Sequence, residues 1–306
     1  MYYPYSPYPE RGKLTLPNDC KIALIVTLNL EHWDMTKDSK EPYYAGGPAI
    51  LPDALPADVP DFPNFMWREY GQRIGIWRLF KEFDRIGVPA SCTINAKTAI
   101  ERRAIVDAAN DRGWEILAHN YEQGELLTDF SGDIDRERNV ILKTLDVYKN
   151  TLKRSAKGWL SSSLRGTLNT CDLLTENGLL FYCDMMNDDQ PYLVKTKNGP
   201  IVSIPYSNEI NDFTLLTRRG HTTSEFLDII KEELDVLLDE ANDDGSARIM
   251  NLGLHPHVSG RAYRIRAVRE FLSYANSLDG VSFLRREDIA AHYLEHHSGH
   301  ISGGYS

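Results

Sequence analysis

Three short stretches place acids, imidazoles and amides where they could share one reaction. They are Thr27-Leu28-Asn29-Leu30-Glu31-His32-Trp33-Asp34, Glu115-Ile116-Leu117-Ala118-His119-Asn120-Tyr121-Glu122-Gln123 and Asn251-Leu252-Gly253-Leu254-His255-Pro256-His257-Val258-Ser259-Gly260-Arg261. A carboxylate and several imidazoles can pass protons near neutral pH, which is general acid–base chemistry once they lie within hydrogen-bond reach of one substrate. Taken singly, Glu31 reads as a solvated acid and each histidine as a structural residue. Taken together they read differently, because each stretch ends an apolar run of strand character.

Those runs alternate with helical patterns. Ile22–Leu30 is followed by a helix over Ile74–Ile86, a strand over Ala90–Asn95, a helix over Thr98–Arg112 and a strand over Trp114–His119. A helix over Ile134–Leu152 comes next, with Ile141, Leu145, Tyr148 and Leu152 forming one apolar stripe at helical spacing. The pattern continues with a short run at Trp159, a helix over Asn169–Glu176, strands at Phe181–Asp184 and Ile201–Tyr206, and an acidic helix over Ser224–Glu240. Arg248–Leu254, a helix over Arg264–Ala275, a strand over Val281–Leu284 and a last helix from Glu287 complete it. Strands separated by helices predict an α/β fold with a parallel sheet, and this many units predict a distorted (β/α) barrel of about seven strands. Chemistry in such barrels sits at the C-terminal strand ends, where Asn29, Glu31, His119, His255 and His257 fall.

The 306 residues are read as one domain, with an N-terminal arm over 1–20 and a Pro-rich loop over 34–70 whose aromatics suit a lid or a subunit contact. A homodimer or homotetramer is expected, because so much aromatic surface is unusual on a monomer. Net charge −10 argues against nucleic acid as partner. No run approaches the ~20 apolar residues of a membrane span and the N-terminus lacks a secretory pattern, so a cytoplasmic location is expected. The scattered Cys20, Cys92, Cys171 and Cys183 read as reduced thiols. The terminal His292, His296, His297 and His300 read as a frayed, solvated tail.

From Ile22 to about His292 the chain resembles the polysaccharide deacetylase (NodB-homology) superfamily. There the first strand ends in a base Asp and a metal-ligand Asp, a second motif carries two His at H-x-x-x-H spacing, and a late Leu-His supplies an acid. Leu254-His255 matches the acid and His119 the first metal His, whereas Asn29, Glu31 and Gln123 depart from the pattern. An amide cannot take a proton from water at neutral pH, and Gln is a poor zinc ligand. These departures, with the stretches Tyr70-Gly71-Gln72-Arg73-Ile74-Gly75-Ile76-Trp77-Arg78 and His255–Arg261, resemble the cofactor-independent allantoinase branch.

That resemblance implies a hydrolase opening a non-peptide C–N bond of a small cyclic amide, imide or ureide, with no cofactor required. Glu31 would position or deprotonate the water, His119 would orient it or polarise the carbonyl, and His255 would protonate the leaving nitrogen. Asn29 and Gln123 would bind the ring's amide edges. Trp33, Ser162, Arg165, Asp189, Asn211, His257 and Arg261 are further substrate-binding candidates, several of them because they follow predicted strands. Two alternatives stand beside this reading. One is a polysaccharide or chitooligosaccharide N-deacetylase holding a weak divalent metal (Zn or Mn) on Glu31, His119 and Gln123; the other is a non-catalytic ligand-binding barrel.

Overall fold

The computed structural model describes residues 3–34 and 59–301. Strand β1 (Ile22–Leu30) sets the architecture through its period of two. Ile22, Leu24, Val26, Leu28 and Leu30 face the helical layer. Ala23 and Ile25 belong to the interior cluster, and Thr27, Asn29 and Glu31 continue their face upward. The interior surface of this strand therefore changes from apolar to polar along its length. Strand β8 (Arg248–Leu254) repeats the device, with Met250, Leu252 and Leu254 outward and Ile249, Asn251, Gly253 and then His255 on the other face.

Between them lie β2 (Ser91–Ile94), β3 (Glu115–Ala118), β4 (Gly158–Trp159), β5 (Phe181–Tyr182), β6 (Tyr192–Val194) and β7 (Ile201–Ser203), and β9 (Val281–Phe283) follows β8. The sheet runs β6-β7-β5-β4-β3-β2-β1-β8, with β9 also paired to β1. Every pairing is parallel except β6 with β7. One edge of β1 is shared: Thr27–Leu30 pairs β2 and Ile22–Leu24 pairs β9. The result is the expected distorted, parallel-dominated (β/α) barrel, with nine strands among the described residues instead of about seven. The antiparallel β6 has only three residues, too few to show an alternation in sequence.

The helices are α1 (Phe62–Tyr70), α2 (Ile76–Ile86), α3 (Ala96–Glu101), α4 (Arg103–Asp111), α5 (Ile134–Leu152), α6 (Thr170–Glu176), α7 (Thr223–Asp244), α8 (Ile265–Ser277) and α9 (Arg286–His296). Helix α1 lies inside the stretch expected to be a loop. Asp61 caps it by accepting from the Asn64 backbone N–H, Pro63 sits in its first turn, and a π-helical segment, Gly71–Gly75, joins it to α2. The remainder of that Pro-rich stretch, 35–58, and its expected role as lid or contact lie outside the described residues, as do residues 1, 2 and 302–306. The helix expected over Thr98–Arg112 is two helices, broken at Arg102, whose φ and ψ of −122° and 46° leave the helical region.

Part of the N-terminal arm closes the lower end of the barrel. Leu14 and Leu16 are buried in the interior cluster, and Arg11 grips Asp188 through two hydrogen bonds of 2.7 Å. Of the expected solvated tail, His296 is exposed, whereas His300 is buried, bonds Tyr293 through Nδ1 and accepts the Gly12 N–H on its backbone carbonyl. All four cysteines are free and buried. Among the described residues no helix is long and apolar enough to cross a membrane.

Candidate active site

At the upper end of the barrel, Asn29, Glu31, His119, Gln123, Tyr206, Asn211 and His255 line one small cleft of about 100 Å3. His255 is its organising group. Its Nδ1 lies 2.7 Å from Asp212 Oδ1 and its Nε2 3.5 Å from Glu31 Oε1. Asp212 is fully buried, and its Oδ2 accepts the backbone N–H groups of His255 and Ser259, so it fixes both the ring and the loop that bears it. Burial disfavours the His255 cation, but Asp212 and Glu31 on its two sides outweigh that and hold its pKa well above the ordinary histidine value. Burial also opposes the Glu31 anion, yet the hydrogen bond and charge of His255 keep Glu31 below the usual carboxylate range. A buried imidazolium between two carboxylates is the resulting state at neutral pH.

Glu31 is held from outside the cleft as well. Trp33 Nε1 donates to its Oε2 at 3.0 Å, the Arg68 guanidinium lies 3.4 Å from the Trp33 ring centre, and Gln72 donates to the Glu31 backbone carbonyl at 2.6 Å. Gln72 comes from the π-helical segment, which packs against the His255-Pro256-His257 turn. A Cβ on Gly75 would lie 2.0 Å from the Pro256 carbonyl oxygen, so the two segments meet at a distance only glycine permits.

His119 sits opposite in a different electrostatic state. Its Nδ1 is 2.6 Å from the Leu160 carbonyl, so that nitrogen carries the proton and Nε2 presents its lone pair. Nε2 is buried without a hydrogen-bond partner among the described residues, as is Gln123 Oε1. Burial holds the His119 pKa below the ordinary value, partly offset by Glu31. The backbone is held as well: Asn95 Nδ2 donates to the His119 carbonyl, and Tyr148 OH accepts the His119 backbone N–H. His257 is also kept neutral, first by burial and then by the neighbouring His255 cation.

The structure thus brings together Glu31, His119, His255, Asn29, Gln123 and Asn211. Asn29 has its amide largely engaged within the barrel, its Nδ2 donating to Tyr206 OH and the Leu254 carbonyl and its Oδ1 accepting from Thr93. Other candidates stand one layer behind the cleft. Trp33 holds Glu31, and Ser162 Oγ accepts from Asn95. His257 packs edge-on against Trp67, and Arg261 stacks on Tyr70 while donating to the His257 carbonyl. Arg165 is exposed and does not line the cleft; Arg218, at the end of the π-helical segment Phe213–Arg218, does. Asp189 is elsewhere altogether: its carbonyl accepts from Ile249 at the start of β8, the end opposite His255. Its segment leads into the antiparallel β6, so the strand-to-helix rule that suggested it does not apply. Asp212 carries no signal of this role within the polar stretch Ser207–Asp212, because Asn and Asp there read equally well as turn chemistry.

Glu31, His119 and Gln123 share the cleft, but they do not fit a divalent ion. Glu31 is engaged by His255 and Trp33, Gln123 offers only a neutral amide, and among the described residues no group of three or more His, Cys, Asp or Glu is arranged to hold a metal. No family model matches the chain. A Schizosaccharomyces pombe protein assigned as a polysaccharide deacetylase is 28% identical over 310 residues, covering 92% of each chain. The crystal structure of a probable polysaccharide deacetylase from Pseudomonas aeruginosa PAO1 matches with a TM-score of 0.79 at 28% identity, over 92% of this chain and 94% of that one. The crystal structure of Puue allantoinase matches with the same TM-score of 0.79 at 26% identity, over 97% and 95%. In fold and in sequence over some nine-tenths of its length, the chain is similar to proteins of the polysaccharide deacetylase superfamily.

Proposed function

We propose that the protein hydrolyses a non-peptide C–N bond in a small cyclic amide, imide or ureide, without a metal. The observation that carries this reading is the His255 ring held between Asp212 and Glu31 at the wall of a small cleft that His119 also lines. A water bonded to His119 Nε2 and Glu31 would attack the carbonyl carbon, its proton passing to His119 while the anionic Glu31 offsets the new charge. His119, lacking a proton on Nε2, cannot polarise the carbonyl. His255 would give its Nε2 proton to the leaving nitrogen as the C–N bond breaks. A cleft this small suits a compact ring, and the likeness to an allantoinase of known structure supports the same class. The names of other relatives support N-deacetylation of a sugar as a second reading, using the same acid and base groups.

Turnover of a panel of cyclic ureides, cyclic imides and N-acetylated sugars separates the readings. Ring opening of at least one cyclic compound is expected, persisting after dialysis against a chelator. Hydrolysis of acetylated sugars alone, abolished by chelation, would sink the proposal. The enzyme is further proposed to act as a homodimer or homotetramer, since Tyr5, Trp77 and Tyr263 are exposed aromatics on the described surface.

A further inference from the structure

The proposed reaction leaves one need unfilled, a donor for the oxygen of the scissile carbonyl. We propose that the Tyr206 hydroxyl is that donor, hydrogen-bonding the carbonyl oxygen as it becomes an oxyanion. The proposal rests on the ring-hydrolase reading and adds a residue to it. Tyr206 is buried, lines the cleft with Glu31 and His255, and has its oxygen fixed by two amides. Asn211 Nδ2 donates to it at 2.8 Å and Asn29 Nδ2 at 3.3 Å.

Neither amide can turn round. Asn211 Oδ1 accepts the Phe213 and Thr214 backbone N–H groups, and Asn29 Oδ1 accepts from Thr93 while its Nδ2 also serves the Leu254 carbonyl. With both nitrogens aimed at it, the phenol oxygen is an acceptor twice over, and its own proton is left to point elsewhere. Among the described residues no side chain or carbonyl takes that proton. Burial raises the phenol pKa, so the group stays a neutral donor across the working range. Gly253 completes the arrangement: a Cβ there would lie 2.5 Å from the phenol oxygen and 2.7 Å from Asn211 Nδ2, so any larger residue would displace the hydroxyl.

In the step, water's oxygen forms the new bond to the carbonyl carbon and its proton goes to His119 Nε2. The C=O pair moves onto the carbonyl oxygen, which accepts the Tyr206 hydrogen bond without taking the proton. Collapse of the adduct returns that pair and breaks the C–N bond, and the nitrogen takes the His255 proton.

The test uses whichever cyclic compound the wild-type protein opens. Removing one preorganised oxyanion donor costs about 10²–10³ in kcat, and Tyr206→Phe should show that loss with KM changed less than about threefold. Because this change also takes an acceptor from Asn29 and Asn211, a second protein carries 3-fluorotyrosine at position 206, keeping the oxygen and its two partners. Its kcat should rise across the neutral plateau, where the more acidic phenol is the better donor, while the alkaline limb stays where His255 sets it. A fluorinated protein whose pH profile superimposes on the wild type overturns the proposal, as does Tyr206→Phe within about threefold of full turnover. If the wild type opens no ring at all, the functional reading falls and takes this proposal with it.

Discussion

Two buried polar networks inside the barrel invite comparison, and one of them carries its charged groups into a cleft. In the lower one Arg286, fully buried on the first turn of α9, donates to Thr27 Oγ1 and to Asn251 Oδ1. Glu115, also buried, accepts from Ser91 at 2.5 Å and from the Glu287 backbone N–H at 2.6 Å, and Arg286 opposes the rise in its pKa that burial causes. In the upper one Glu31, His255 and Asp212 form a second charged set. Both contain polar atoms without partners among the described residues, Arg286 Nε and Nη1 below and His119 Nε2 and Gln123 Oε1 above. Unpaired buried groups therefore do not distinguish a site from a scaffold. Access does: the upper groups line a cleft, whereas Arg286 has no exposed surface.

On this distinction, damage above should cost turnover and damage below should cost stability. His255→Ala and Glu31→Gln should each lower kcat by about 10²–10⁴-fold with circular dichroism unchanged. Near-full turnover in either would remove that residue from the chemistry. Arg286→Leu should instead lower the unfolding free energy by about 1–3 kcal/mol, because it takes the donor from Thr27 and Asn251 and a nearby positive charge from Glu115. Its kcat per folded molecule should stay close to wild type, with the denaturant midpoint as the readout. A stable Arg286→Leu protein with little turnover would invert the assignment.

A finer test lies in pH. His255 has a raised pKa in the folded state, so the stabilisation from its ion pairs is complete below the ordinary histidine value of about 6.5 and fades as pH rises through the folded value. As the proposed acid it must be protonated, so kcat/KM should hold its plateau well into the alkaline range. Asp212→Asn removes one of the two anions responsible and should move that alkaline limb toward neutrality. An unmoved limb would mean that Asp212 only orients the ring. The smallest effect is expected at Asp189→Asn, with kcat and KM both within about threefold of wild type, since this residue sits by the start of β8. A larger loss would show the lower seam of the barrel to be connected to the reaction.

Much of the cleft is legible in the sequence because strand alternation is a strong physical constraint. Asn29 and Glu31 had to share a face, and Glu31, His119 and His255 each ended a run that parallel pairing brings to the same end. What escaped was set by packing that has no periodic signature. Asp212 becomes a partner of His255 only through complete burial, and Arg218 reaches the cleft only because six residues adopt a π-helical turn. The same applies to Trp33, expected beside the substrate: its place behind Glu31 depends on Arg68, from a helix hidden in a Pro-rich stretch.

The pairing of β1 has a kinetic consequence. This strand, near the start of the chain, finds its lower partners in β8 and β9, more than two hundred residues later. Contacts of such long sequence separation demand a large loss of chain freedom before they return any stability, and topologies built on them fold slowly. Until Arg248–Leu254 has been synthesised, one whole edge of the apolar Ile22–Leu30 strand has no native neighbour, an invitation to pair with another chain. The strand that carries Glu31 to the cleft is thus also the segment whose protection from aggregation comes last.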